Sequence, residues 1–183
     1  MIHHFQRIIQ EAMKQIKAMS RVSNKILSKS ITLDDIRSAN HKADSVVKEE
    51  VMTEIYKTLK DKGGTYLFRT VSVEDLGKKK AFDTVFTQNG KRDNIKLLIN
   101  SSLVGGRSVA EIDSIFKAAE ITVCNSLSDG VIHEMYHAKI ASTWNVNVVD
   151  NLDSEIGIIG ISRTTNKDLL ETIAEAGVLK ERG

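Results

Sequence analysis

Proline is absent from this chain, and cysteine occurs once, as Cys124. A single thiol excludes any intramolecular disulfide framework. Flanked by Val123 and Asn125, Cys124 reads as a small buried residue rather than a nucleophile. Without proline the sharpest helix-stop signal is missing, so helix ends have to be read from Gly, Asn and Ser. No uninterrupted apolar run approaches the ~20 residues needed to span a bilayer. Residues Met1 to Arg7 also lack the apolar stretch and small-residue cleavage site of a secretory signal. The expected location is therefore the cytoplasm or a particle assembled there, with no membrane partner. Charge of one sign is scarce too. With 26 basic and 24 acidic residues the net charge is +2, which implies no nucleic-acid partner.

What is present suits an α+β protein of one domain, or one domain with an appendage, since 183 residues can bury a proper core. Residues 1 to about 29 read as an amphipathic helix, with Phe5, Ile9, Ala12, Ile16 and Met19 near one face. It either packs on the domain or docks on a protein partner. Thr32 is a plausible N-cap for a second helix, with Asp35 at the third position and apolar spacing running to about Lys62. His41 on that helix reads as a surface residue. Residues 1–62 thus form a helical region, an arm or part of the core, ahead of a second unit over 63–183. Strands are expected at Tyr66–Val71, Ala81–Thr87 and Asn94–Asn100, the last two as a hairpin turned at Asn89-Gly90. Ser108, with Glu111 three residues on, caps a further helix on which Glu111 and Asp113 read as surface charges. Ser128 then caps a helix carrying Gly130, Ile132 and Met135, whose glycine could admit another backbone. A last helix begins near Thr165 and stops before Gly177.

The stretch that organises the rest is His133-Glu134-Met135-Tyr136-His137. Five histidines occur in the chain, and two of them fall in this His-Glu-x-x-His frame. Positions four apart on a helix return to nearly the same face, so His133 and His137 can grip one ion. Glu134 projects about 100° round from His133, beside a metal rather than on it, where it can take a proton from water. The pattern points to a zinc-dependent peptidase or peptidase-like domain. The bland alternative is a helix with one histidine in the core and one at the surface.

A catalytic zinc ion needs a third protein ligand and an open fourth position. The last helix offers Glu171-Thr172-Ile173-Ala174-Glu175, whose two carboxylates share a face. One can bind the ion while the other accepts the free ring N–H of a ligating histidine. Asp153 and Glu155 compete for the ligand position from a less fixed loop.

His133-Glu134-Met135-Tyr136-His137 with Glu171-Thr172-Ile173-Ala174-Glu175 resembles the gluzincin arrangement of thermolysin-like and anthrax-lethal-factor-like metallopeptidases. The segment Ser126–Ile132 also resembles compact zincin-like domains attached to bacteriophage head-assembly proteins. The resemblance implies Zn2+ held by His133, His137 and Glu171, with Glu134 as general base and Glu175 supporting a ligand from behind. It implies a zincin-like α+β fold: a small antiparallel or mixed sheet packed against the motif helix and a second ligand helix. It also implies a β-edge along which an extended polypeptide substrate lies, for which the strand ending Leu97-Leu98-Ile99-Asn100 is the candidate. No residue matches the family's oxyanion-stabilising groups, and Arg163, Tyr66 and Tyr136 are the candidates here. The rival expectation is a non-catalytic, virion-associated or host module in which zinc staples two helices.

Overall fold

Thr32 closes a capping box on the first described helix. Its hydroxyl accepts from the Asp35 amide at 3.2 Å and its own amide donates to Asp35 Oδ2 at 2.8 Å. The structure is a computed structural model that describes residues 30–85, 95–119, 122–143 and 169–183, together with Arg7, Gln10 and Lys14 in helical conformation. The rest of the amphipathic 1–29 segment, the Asn89-Gly90 turn, Asp153, Glu155, Arg163 and Thr165 lie outside the described residues.

The described residues form an α+β arrangement. In chain order the elements are α1 (Leu33–Lys42), α2 (Glu49–Asp61), β1 (Thr70–Glu74), β2 (Phe82–Val85) and β3 (Lys96–Asn100). They continue with α3 (Ser101–Val104), α4 (Val109–Ala118), α5 (Leu127–Thr143) and α6 (Leu169–Arg182). The single helix expected from Thr32 to Lys62 is in fact two. Asp44 adopts a positive φ of 49°, and the Asn40 side chain brackets Val47, donating to its carbonyl and accepting from its amide, both at 3.3 Å. Asn and Asp stabilise such local turns against helix continuation. The apolar spacing carried across the break because both helices bury the same side: Ile36, Val51, Ile55 and Leu59 join one hydrophobic cluster with Leu97, Val131, Met135, Tyr136 and Val178.

The sheet is mixed, in the order β1-β3-β2. β2 runs antiparallel to β3, with Phe82 opposite Ile99 and Thr84 opposite Leu97, as a hairpin requires. β1 is parallel to β3 and starts four residues later than expected, at Thr70 rather than Tyr66. Tyr66 and Leu67 are instead spent on a turn, in which the Leu67 amide donates to the Gly64 carbonyl at 3.1 Å. β3 is the central strand, and its Leu97, Leu98, Ile99 and Asn100 are all buried. Both its edges are paired, so the Leu97–Asn100 strand cannot be the free edge for a peptide; that expectation is corrected. Of the two outer strands, β2 lies against α5, where Thr84 reaches the backbone carbonyl of Glu134 at 3.2 Å.

Asn100, fully buried, knits the end of β3 to the loop that leads into β2. Its side chain accepts from Leu76 N (2.9 Å) and Ser102 N (3.0 Å) and donates to the carbonyls of Gly77 (2.7 Å) and Lys80 (2.6 Å). All the amide's bonding capacity is thereby used inside the protein.

Candidate metal centre

Two helices carry the motif residues, and each is set by short polar contacts. α4 starts with the anticipated Ser108–Glu111 capping box. Asp113, expected as a surface charge, instead accepts from the Leu127 amide at 2.8 Å and so anchors the first turn of α5. The cap of α5 is Ser126 rather than Ser128, since Ser126 Oγ accepts from Asp129 N at 3.1 Å. Ser128 faces α2, its hydroxyl 2.9 Å from Thr58 Oγ1. Gly130 makes room for side chains and not for backbone: a Cβ there would fall 2.6 Å from Phe116 Cζ.

α6 runs through Gly177, which does not stop it. A Cβ at this position would stand 2.4 Å from two ring carbons of Tyr136, so the glycine is there to let α6 close on α5. Tyr136 is buried, and its hydroxyl donates to Glu181 Oε1 at 3.0 Å. Burial and the neighbouring Glu181 carboxylate push its phenol well above the usual range. Facing the core, Tyr136 does not serve as an oxyanion donor. Arg182 closes the far end of the helix pair, donating to Asp129 Oδ2 and the Val123 carbonyl.

This closure brings three groups named from the sequence to one point. Glu171 Oε1 is 2.9 Å from His137 Nε2, and Glu171 Oε2 is 3.0 Å from His133 Nε2. The two Nε2 atoms are 3.1 Å apart, with the rings edge to face at 63°. In a tetrahedral zinc centre, bonds of ~2.0–2.2 Å set donor atoms about 3.4 Å apart. Displacements of a few tenths of an ångström open the trio to those spacings. Two neutral imidazoles and one carboxylate fit a divalent transition metal in donor type as well as in distance. Burial disfavours charge on Glu171, yet contact with both imidazoles holds its carboxyl well below the usual carboxylate range. Burial likewise opposes charge on His133, but Cys124, Glu171 and Glu175 in contact, with Glu134 nearby, raise its pKa well above the ordinary imidazole value.

Glu175 stands behind His133, with its Oε2 3.6 Å from Nδ1 and its Oε1 accepting from Val123 N at 3.2 Å. Glu134 is nearly buried on the other flank, and Thr84 Oγ1 donates to its Oε2 at 2.5 Å. A cleft of about 270 Å3 opens over the trio, lined by Lys79, Ala81, Phe82, Phe116 and Glu134 among others. Tyr66 does not line it.

Thr84 and Cys124 are the residues that sequence reasoning missed. Thr84 looked like an ordinary β-strand residue, and no spacing tied it to a motif fifty positions away. Cys124 is indeed buried in the core cluster, and its Sγ also donates to Glu175 Oε2 at 3.8 Å, at the back of the site. Among the described residues no helix is long and apolar enough to cross a membrane. Compared with models of known families, with curated proteins and with solved structures, the chain matches none.

Proposed function

We propose that this protein is a zinc-dependent peptidase, with His133, His137 and Glu171 holding the ion and Glu134 as general base. The observation that carries the reading is the position of Glu171: one carboxylate from α6 meets both imidazoles of α5 at 2.9 and 3.0 Å. A helix with an accidental His-Glu-x-x-His pattern has no reason to be met there by a carboxylate from an element 34 residues downstream. Zinc bound by these donors would supply Lewis acidity, polarising a carbonyl and lowering the pKa of water towards ~7.

The chain's own residues supply the rest. Glu134 borders the cleft, and its carboxylate is aimed by the Thr84 hydroxyl. It accepts a proton from the attacking water and returns one to the departing amine nitrogen. Glu175, behind His133, is placed to receive the ring N–H and fix the tautomer that leaves Nε2 free as a donor. A substrate in extended conformation lies along β2, the outer strand beside α5, and Ala81, Phe82 and Asp83 border the cleft there. The resemblance to gluzincins agrees with this reading on the same residues.

The reading in which zinc staples α5 to α6 without turnover draws on the same helix-to-helix contact. Elemental analysis and a peptide-library screen separate the two. The peptidase reading expects chelator-sensitive cleavage, with Glu134→Gln keeping stoichiometric zinc and losing hydrolysis. It also expects His137→Ala to lose the ion. Cleavage that survives in Glu134→Gln removes the assigned base, and metal without cleavage in the native chain leaves the staple.

A further inference from the structure

The sheet has two outer strands, and the proposed substrate takes only β2. β1 is the other edge, and among the described residues no strand pairs with its outer side. Arg69 N donates to Ile95 O at 2.7 Å, so Arg69, Val71 and Val73 turn their backbone groups towards β3. In a parallel ladder the alternate residues point the other way, which leaves the N–H and C=O groups of Thr70, Ser72 and Glu74 facing outwards. Beside them runs a groove of about 450 Å3, lined by every residue from Arg69 to Glu74. Successive side chains of a strand point to opposite faces, so a groove that touches them all follows the edge. α1 lines the far side with Ser38, Ala39 and Ala43, too short to cover that edge, together with Asp35 and Lys42. Exposed edges are commonly protected by lysine, proline or a bulge. Thr70–Glu74 contains neither residue, and its pairing with β3 is unbroken over all 5 positions.

We propose that the outer edge of β1 pairs antiparallel with β1 of a second copy of this chain. The run Arg69-Thr70-Val71-Ser72-Val73-Glu74-Asp75 complements itself about Ser72. With a two-fold axis there, Ser72 meets Ser72, Val71 meets Val73, Thr70 meets Glu74 and Arg69 meets Asp75. The outward-facing Thr70, Ser72 and Glu74 fall at hydrogen-bonded positions, where each pair exchanges both N–H···O bonds. Only this centring pairs the whole strand and sets Arg69 against Asp75. Arg69, Glu74 and Asp75 are exposed, and among the described residues neither they nor Lys96 enter a salt bridge. Lys96 stands beside Thr70 on β3, so Glu74 of the second copy joins a row with Thr70 and Lys96 across the sheet. Each of these charges thus gains an opposite one, and β-branched Thr70, Val71 and Val73 suit the pleat. An unrelated peptide carries no such symmetry, which is why the occupant is a second copy. The two sheets join in the order β2-β3-β1-β1-β3-β2, with a cleft beside each outer β2. The pairing depends neither on the ion nor on hydrolysis.

The test is the mass of the full native chain by sedimentation equilibrium, from micromolar to millimolar concentration. A species of twice the chain mass is expected, dissociating on dilution. Ser72→Lys sets two like charges against each other at the axis. It should leave a monomer with native far-ultraviolet circular dichroism. Arg69→Glu faces Asp75 with a like charge at both ends of the pair and should raise the dimer Kd about tenfold. Adding Asp75→Arg to Arg69→Glu should bring the dimer back. A native chain that is monomeric throughout overturns the proposal, as does a dimer that persists unchanged in Ser72→Lys or in Arg69→Glu. Weakening by Arg69→Glu with no recovery in the double variant overturns the register centred on Ser72.

Discussion

At the scale of single residues, the base proposed here would be defined as much by Thr84 as by Glu134 itself. A nearly buried carboxylate can turn about its terminal torsions, and the 2.5 Å bond from Thr84 Oγ1 fixes one oxygen. Hydrogen bonds to charged groups contribute roughly 1.5–3 kcal/mol. If the orientation serves the reaction, Thr84→Val, which keeps the shape and drops the hydroxyl, lowers kcat by about ten- to a hundredfold. Metal content should stay at the native level and KM should move little. A kcat equal to that of the native chain would show that the base is positioned by something else. Glu134 was legible because its place in the motif follows from helix geometry alone. Thr84 was not, because it reaches the site through the pairing of β2 with β3, and register is a property of the folded sheet.

At the scale of elements, the close approach of α5 and α6 depends on Gly177 under the ring of Tyr136. Two effects compete in Gly177→Ala. Helix propensity favours alanine by about 1 kcal/mol, while forcing a methyl into a filled contact costs roughly 1–3 kcal/mol. The obstacle is the face of a buried aromatic ring at 2.4 Å rather than a flexible chain end, so overpacking wins. The variant should lose about 1 kcal/mol or more, read from its urea midpoint, and Tyr136→Leu in the same chain should recover part of the loss. A gain in stability on Gly177→Ala would mean the helices sit farther apart than described. This glycine also explains one misreading, since a Gly near a helix end usually marks the C-cap, and here it marks contact. The α1–α2 break was misread for a related reason. Periodicity reports which side chains face the core, and two helices that bury one continuous side produce one unbroken pattern. Capping boxes at Thr32 and Ser108 were legible because they are closed within four residues. The Asp113 anchor was not, because its partner, the Leu127 amide, is brought to it by tertiary packing.

At the scale of the whole molecule, the candidate centre joins α5 to α6, and both helices belong to the same core as α1, α2 and the sheet. An ion held by His133 and His137 on one helix and Glu171 on the other binds the folded chain and not the unfolded one. Its binding energy therefore adds to the stability of the whole unit rather than of one element. At a free-metal concentration of 100 Kd the linkage amounts to about 2.7 kcal/mol. For a chain of this length each kcal/mol moves Tm by roughly 2–4 °C, so chelation is expected to lower Tm by about 5–11 °C. Glu171→Gln weakens the carboxylate donor that spans the two helices. Its Tm should hardly respond to chelator, while Glu134→Gln should respond as the native chain does. That contrast separates ligand from base without any substrate. Equal responses in Glu171→Gln and the native chain would place the ion somewhere other than between α5 and α6.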